Sequence, residues 1–241
     1  MLIANRGEIA VRIARTAREM GIETVALHSE DDFASGHLRC ANIVHPLYGK
    51  GPGAYLDMEQ IVSAARQYSC QAVHPGYGFL SENSEFARLC QDAGLLFVGP
   101  APQTIALLGD KTRARELARS CGVAINSGSS GPVTLADASV YFESLGSGDA
   151  MVIKAVAGGG GRGMRVVHRA EEIEQAYQCC RSEAERAFGN GDLYVERLVQ
   201  RARHLEVQII GDGRDVSHLW ERECSLQRQH QKLLEIAPSA G

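Results

Sequence analysis

A run of glycines close after a lysine is the feature of this 241-residue sequence that points most directly to chemistry. Lys154 is followed by residues 158–163, in which five of the six positions are glycine. Glycines let a backbone approach a ligand closely, and their amide N–H groups can converge on phosphate oxygens. The run is not a P-loop, because no Gly-Lys-Ser/Thr follows and the next element reads as a strand. The pattern predicts a lid over a triphosphate, with Lys154 adding a positive charge; a hairpin tip without a ligand is the alternative.

Four further stretches carry polar side chains with weaker signals. Residues 196–199 lie at a strand end and either offer backbone groups to an adenine edge or are simply exposed. Alternation in residues 204–210 places apolar side chains on a core face and polar ones opposite, where they line a nucleotide or face solvent. Residues 221–232 are rich in charge and either form a solvated surface or hold an anion such as bicarbonate or phosphate. Residues 74–83 form a strand–helix turn at a sheet edge where α/β folds build clefts, and a purely structural turn is the favoured interpretation.

Composition excludes several classes of protein. The net charge of −4, from 25 basic and 29 acidic residues, gives no reason to expect nucleic-acid binding. No stretch approaches 18 consecutive apolar residues, so we expect no membrane span. The seven cysteines are an odd, scattered set without a C-x-x-C pair. They are interpreted as reduced thiols, which predicts a cytoplasmic protein.

The predicted helices and strands that position these residues are arranged differently in the two halves of the chain. The first hundred residues alternate apolar strands with amphipathic helices, which predicts βαβ units and a parallel sheet. Strands are predicted at 2–4, 24–28, 42–47, 71–74 and 95–98, and helices after residue 7 and at 57–67 and 81–93. In the second half the predicted helices cover 110–121, 135–145 and 170–188, and the strands 151–156, 164–167, 193–198, 204–210 and 216–222. This half is predicted to be α+β with antiparallel hairpins, and Asp110 is available to cap its first helix.

Six runs of the sequence together resemble the biotin carboxylase component of biotin-dependent carboxylases, within the ATP-grasp superfamily. These runs are Ile3–Ala10, His74–Asn83, Gly109–Lys111, Lys154–Met164, His204–Gln208 and Glu221–Lys232. The resemblance covers essentially the whole chain. It implies a Rossmann-like N-terminal domain at 1–108, ATP-grasp linker helices and a glycine-rich lid at 109–200, and the beginning of an α+β ATP-grasp catalytic domain at 201–241.

The resemblance also implies roles for individual residues. It implies contacts with the ATP phosphates for Lys111, Lys154, Gly158, Gly159, Gly160, Gly161 and Gly163. It implies that Glu196, Arg197, Leu198 and Val199 meet the adenine, and that His204, Gln227 and His230 line the nucleotide and ribose region. Lys232 would hold bicarbonate and, with Lys154, act in catalysis. Ala157 stands where a further glycine is common in the family, which would stiffen the lid slightly.

The activity implied is the ATP-dependent carboxylation of biotin on a carrier protein with bicarbonate, through carboxyphosphate. This is the first half-reaction of an acyl-CoA or pyruvate carboxylase, and it uses ATP, Mg²⁺ or Mn²⁺, and biotin as a carrier-bound substrate. The partners implied are a biotin carboxyl carrier, a carboxyltransferase and further copies of the chain. Two alternatives remain open: another ATP-grasp ligase that uses bicarbonate, such as one similar to carbamoyl-phosphate synthase, and a non-catalytic subunit-contact module.

The resemblance places the acidic ligands of Mg²⁺ downstream of these 241 residues, so no metal ligand is assigned within them. We therefore expect the chain alone to have little or no carboxylase activity. We also expect an exposed apolar edge that favours association.

Overall fold

The computed structural model describes residues 1–157, 163–228 and 231–239 and divides into two units, Met1–Gly109 and Asp110–Gly241. The first unit contains β1 (Leu2–Ile3), α1 (Gly7–Glu19), β2 (Val25–His28), a 3-10 helix (Gly36–Cys40), β3 (Ile43–Pro46), α2 (Gly51–Ala54), α3 (Met58–Gln67), β4 (Ala72–His74), α4 (Ser84–Asp92), β5 (Leu96–Phe97) and α5 (Pro102–Gly109). The second contains α6 (Lys111–Ser120), α7 (Leu135–Glu143), β6 (Met151–Ala155), β7 (Met164–Val167), a 3-10 helix (Ala170–Glu172), α8 (Ile173–Phe188), β8 (Leu193–Arg197), β9 (Leu205–Gly211), β10 (Val216–Glu223), β11 (Gln227–Arg228) and β12 (Gln231–Lys232).

The first unit is built on a five-stranded parallel sheet in the order β3-β2-β1-β4-β5. Its inner strands β1 and β2 are short, apolar and buried, as expected of strands covered on both faces, whereas the edge strand β3 is mostly exposed. Leu2, Leu27 and Val73 are fully buried in its core, together with Tyr55 and Phe86. The strand order reverses between β1 and β4, which is where open α/β sheets form a crevice at their carboxyl ends. The predicted mixed α/β fold with a parallel first sheet is confirmed.

The second unit contains a three-stranded antiparallel sheet in the order β7-β6-β8. Alternation along β6 turns Met151, Ile153 and Ala155 toward a buried cluster that also holds Ile173 and Cys180 of α8. Burial raises the pKa of the Cys180 thiol to about 12. The opposite face of β6 carries Val152, which is also buried, and Lys154, which is partly exposed.

Two hairpins follow this sheet, β9 with β10 and β11 with β12. The alternation in β9 was expected to bury Leu205, Val207 and Ile209, but these side chains are 50%, 54% and 54% exposed. That expectation is wrong because no element among the described residues covers this face of the hairpin. The exposed apolar surface expected for this chain lies here, and Trp220 on β10 adds to it with 69% exposure.

Several boundaries differ from the sequence prediction. Helix α4 begins at Ser84 rather than 81, because the Asn83 side chain accepts from the Phe86 N–H and caps it there. Residues 221–232, for which no hairpin was predicted, include the end of β10 and the short hairpin of β11 and β12. Within the described ranges, none of the helices is both long and apolar enough to cross a bilayer.

Candidate functional site

Lys154 lies near the end of β6 on the face turned away from the apolar cluster. Its partners across the sheet are Met164 on β7 and Tyr194 on β8. Glu196 stands two residues beyond Tyr194 and therefore on the same face of β8. Strand alternation thus brings a lysine and a glutamate together on one face, and burial raises the pKa of the neighbouring Tyr194 hydroxyl.

The Glu196 carboxylate is shared between two cations. One oxygen accepts from Lys154 Nζ at 2.5 Å and the other from a guanidinium nitrogen of Arg115 at 2.5 Å. The side chains of Arg115 and Glu196 are 14% and 10% exposed, whereas that of Lys154 is 28% exposed. We call Arg115, Glu196 and Lys154 the β8 triad. It carries two positive charges and one negative charge, and Lys154 is its most accessible member.

A second lysine reaches the same end of β6. Asp110 caps α6 by accepting from the N–H groups of Thr112 and Arg113, which confirms its expected role and fixes the start of the helix at Lys111. From there Lys111 Nζ lies 3.5 Å from the carbonyl oxygen of Ala155, the residue after Lys154. The structure therefore brings the two predicted phosphate-binding lysines to one strand end.

The glycine-rich run is described only at its last residue. Gly163 has a φ of +65°, and a Cβ there would lie 3.0 Å from the Cβ of Ala155, so the turn into β7 favours glycine. Gly158, Gly159, Gly160 and Gly161 lie outside the described residues.

The segment expected to meet an adenine is anchored at its start. The N–H of Arg197 donates to the Ser127 carbonyl, and the N–H of Leu198 donates to the Ala150 carbonyl. The side-chain amide of Asn126 donates to the Arg197 carbonyl at 2.6 Å. Val199 is 58% exposed. Of the backbone N–H groups at 197–199, those of Arg197 and Leu198 are already bound to protein, which leaves Val199 as the position open to a ligand.

Of the remaining predicted residues, His204, Gln227 and Lys232 lie around the β9–β10 hairpin. Glu206 is ion-paired with Lys232 and, at 2.5 Å, with Arg222. These contacts, that of Lys232 first, hold the pKa of Glu206 at about 2 and raise the pKa of Lys232. The side-chain amide of Gln227 lies 3.1 Å from Nδ1 of His204. His230 lies outside the described residues.

Lys154 and Lys232 thus have similar surroundings, since each pairs with a glutamate that also pairs with an arginine. Sequence reasoning missed both arginines. A signal for Arg115 existed: it follows Lys111 by four residues, and residues at that spacing share a helix face. Its partner Glu196 is 81 residues away, so the ion pair itself had no local signal.

One group in the described ranges has the composition of a metal site. Ligand atoms of Glu206, Cys224 and Glu235 lie within 4.8 Å of one another. The carboxylate of Glu206 is already paired with two cations. A thiol is also a poor ligand for Mg²⁺, which prefers oxygen. These residues do not fit a magnesium ion.

In the first unit, the turn after β4 is held by Asn5. Its side-chain amide, which is buried, donates to the carbonyls of Pro75 and Tyr77 at 2.7 Å each. Gly76 packs so closely that a Cβ there would lie 2.7 Å from Asn5 Nδ2. Tyr77 remains 59% exposed at the crevice edge of the sheet. The turn is therefore a rigid structure that presents one aromatic side chain.

Each of the two units matches a known protein family. The family model described as biotin carboxylase, N-terminal domain, matches residues 1–105, and the model described as carbamoyl-phosphate synthase L chain, ATP binding domain, matches residues 110–241. The chain belongs to the biotin carboxylase family. It is 47% identical to the pyruvate carboxylase of Bacillus subtilis, over 100% of this chain and 21% of that protein. The human mitochondrial pyruvate carboxylase is also 47% identical, over 100% of this chain and 20% of its own length.

Solved biotin carboxylases share the fold. The biotin carboxylase domain dimer of Hydrogenobacter thermophilus 2-oxoglutarate carboxylase, in complex with MgADP, ADP and bicarbonate, matches with a TM-score of 0.93 and 43% identity, over 99% of this chain and 52% of that one. The biotin carboxylase of Campylobacter jejuni matches with a TM-score of 0.95 and 41% identity, over 99% and 54%. The chain therefore spans about a fifth of these curated carboxylases and about half of these solved chains.

Proposed function

We propose that the chain takes part in the ATP-dependent carboxylation of biotin on a carrier protein, with bicarbonate as the second substrate. The observation that carries the proposal is the convergence of Lys111 and Lys154 at the end of β6, immediately before the glycine-rich run. Membership of the biotin carboxylase family supports it. The related Hydrogenobacter thermophilus domain has been solved with MgADP and bicarbonate, which are the product of ATP and the second substrate.

Within this proposal the residues divide into four groups. Lys111, Lys154, Gly158, Gly159, Gly160, Gly161 and Gly163 contact the phosphates. Glu196, Arg197, Leu198 and Val199 lie along the adenine, and His204, Gln227 and His230 line the ribose side. Lys232 binds bicarbonate, and the paired Glu206 carboxylate limits how strongly it does so.

The domain assignment is also a proposal. Residues 1–108 would form the Rossmann-like domain, 109–200 the linker helices and lid, and 201–241 the beginning of the catalytic domain. The boundary between the two units at residues 109 and 110 is compatible with the first division. The split at residue 200 is supported by the change from the β7-β6-β8 sheet to separate hairpins.

The proposed reaction requires the protein to stabilise the negative charge that develops in the transition state of phosphoryl transfer. A bicarbonate oxygen attacks the γ-phosphorus, the bond to the bridging oxygen of ADP breaks, and carboxyphosphate forms. Carboxyphosphate then releases CO₂ and phosphate, and the ureido nitrogen of biotin captures the CO₂ while its proton passes to the phosphate. Lysine charges and loop amides lower the first barrier, and a closed lid keeps water from the labile intermediate. Mg²⁺ or Mn²⁺ would supply further neutralisation, but the described residues offer no fitting ligand set for it.

The proposed partners follow from the same reaction. They are ATP, bicarbonate, a biotin carboxyl carrier protein or domain, a carboxyltransferase that uses the carboxybiotin of an acyl-CoA or pyruvate carboxylase, and further copies of the chain. We propose a cytoplasmic location, on the ground of the cysteine pattern.

Calorimetric titration of the chain with ATP tests the proposal. We expect binding, weakened in Lys111→Gln and Lys154→Gln and unchanged in Lys50→Gln, which alters an exposed lysine of the first unit. Failure of the wild-type chain to bind ATP would contradict the proposal and favour a non-catalytic contact module. Equal affinity in all three variants would contradict the assigned phosphate site.

A further inference from the structure

The three members of the β8 triad differ in how far a ligand can reach them. Arg115 and Glu196 are 14% and 10% exposed, so neither presents much surface to an entering anion. Lys154 keeps 28% of its side chain exposed and lies at the strand end that Lys111 also approaches. The charge of the triad is therefore presented to solvent mainly through Lys154.

The net positive charge around Lys154 depends on whether a second cation neutralises the Glu196 carboxylate. A lysine paired with a glutamate has no net charge and attracts a polyanion weakly. In this chain Arg115 takes one oxygen of Glu196 and Lys154 takes the other. Because the carboxylate is shared, the triad keeps one net positive charge at a partly buried place, where solvent screens it less than at the surface.

Arg115 is held in place independently of Glu196. Its second terminal nitrogen donates to the Asn126 carbonyl at 2.6 Å. Gly128 packs against the same group, since a Cβ there would lie 3.1 Å from the Arg115 guanidinium. A planar guanidinium can satisfy a carboxylate and a carbonyl at fixed angles, which an ammonium group does less well. The arginine is thus a largely buried counter-ion held by two partners, while the lysine is the more accessible cation.

We propose that Arg115 is a positioning residue that balances the charge of Glu196, so that the charge of Lys154 remains available to the phosphates of ATP. The inference deepens the proposed function and rests on it. It differs from the assigned phosphate contacts because Arg115 acts on ATP through Glu196 and Lys154. Removing Arg115 leaves Lys154 as the partner of Glu196 among the described residues, and the two charges cancel. Removing the charges of both Arg115 and Glu196 leaves the positive charge of Lys154.

The test measures the dissociation constants of ATP and of uncharged adenosine by calorimetry. The variants are Arg115→Met, Glu196→Gln and the two combined, with Arg119→Met as the matched control, an exposed arginine one turn further along α6. We expect Arg115→Met to weaken ATP binding about tenfold, which is about 1.4 kcal/mol, and to leave adenosine binding unchanged. Residues 196–199 are assigned to the adenine through their backbone groups, which glutamine keeps. Glu196→Gln should therefore lose less ATP affinity than Arg115→Met, and the double variant should bind ATP more tightly than Arg115→Met.

Four results would overturn the inference while leaving the proposed function intact. The first three are an ATP affinity in Arg115→Met equal to that of Arg119→Met, a loss in Glu196→Gln as large as in Arg115→Met, and a double variant that binds ATP no better than Arg115→Met. The fourth is an equal loss of adenosine affinity in Arg115→Met, because it would show that the substitution changes the shape of the nucleotide site. If circular dichroism shows that Arg115→Met does not fold, Glu196→Gln and the double variant decide. Wild-type chain that binds no ATP would instead overturn the proposed function.

Discussion

Replacing Gly128 by alanine should loosen the edge of β8. A Cβ at this position would lie 2.5 Å from the Val195 carbonyl oxygen and 3.0 Å from Cγ of Glu196. Gly128 forms a β-bridge with Glu196, and the flanking N–H of Ser129 donates to the Val195 carbonyl at 2.9 Å. The obstacle is backbone, so the two segments must separate for the methyl group to fit.

The size of the effect follows from that separation. The Cβ must move from 2.5 Å to at least 3.0 Å from the oxygen, which stretches the hydrogen bonds that join the segment to β8. Overpacking of this kind costs about 1–3 kcal/mol. For a unit of this size, roughly 4 °C in Tm per kcal/mol predicts a fall of about 4–12 °C. Hydrogen exchange read by mass spectrometry should show lost protection in residues 193–197 but not in residues 25–28 of the first unit.

Gly131 provides the matched control three residues further on. A Cβ there meets nothing within 4 Å, and its φ is not in the left-handed region, so Gly131→Ala should be neutral or stabilising by about 0.4–1 kcal/mol. If Gly128→Ala and Gly131→Ala shift Tm and exchange equally, the reasoning that the segment packs against β8 is refuted.

Three other predictions concern single groups. Asn5→Ala should destabilise the first unit by about 1–3 kcal/mol in urea unfolding, because two carbonyls in residues 75–77 lose their donor; an unchanged midpoint would contradict this. The pKa of Glu206 falls from 4.5 to about 2 in the folded protein, so its carboxylate stabilises the fold fully above about pH 4.5 and loses that effect as the pH falls toward 2. The free energy of unfolding of the wild type should thus exceed that of Glu206→Gln by at most about 3 kcal/mol at pH 6, a figure that solvent screening lowers, and the difference should vanish near pH 2. A difference that stays constant across that pH range would contradict this prediction. At pH 8 iodoacetamide should label the exposed Cys121 and spare Cys180, whose thiol is buried with a pKa of about 12; equal labelling rates, read by mass spectrometry, would argue against that burial.

Much of the fold was predictable from local pattern. The strands of the first sheet and the helices around them follow from period-two and 3.6-residue patterns, which are short-range properties of the chain. The cap at Asp110 follows equally from residue type. The pattern did not predict α2, α5 or the 3-10 helix at Gly36–Cys40, because elements of four or five residues carry little periodicity, and α5 is mostly apolar rather than amphipathic.

The hairpin of β9 and β10 shows where pattern alone fails. Alternation correctly indicated which side chains of β9 share a face, but it gave no information on what covers that face. Leu205 and Val207 are half exposed because burial depends on a neighbouring element, and the described residues provide none.

By itself, the sequence determined the order of strands and helices, the glycine-rich turn and the lysines beside it, and through these its resemblance to the biotin carboxylase family. Only the tertiary structure decided how those lysines are balanced. Arg115, Lys154 and Glu196 lie 42 to 81 residues apart along the chain where they pair, so no local signal could join them. Their contact exists because the Arg115 side chain reaches from α6 to Glu196 on β8, and because Gly128 lets a second backbone come close enough to hold the guanidinium.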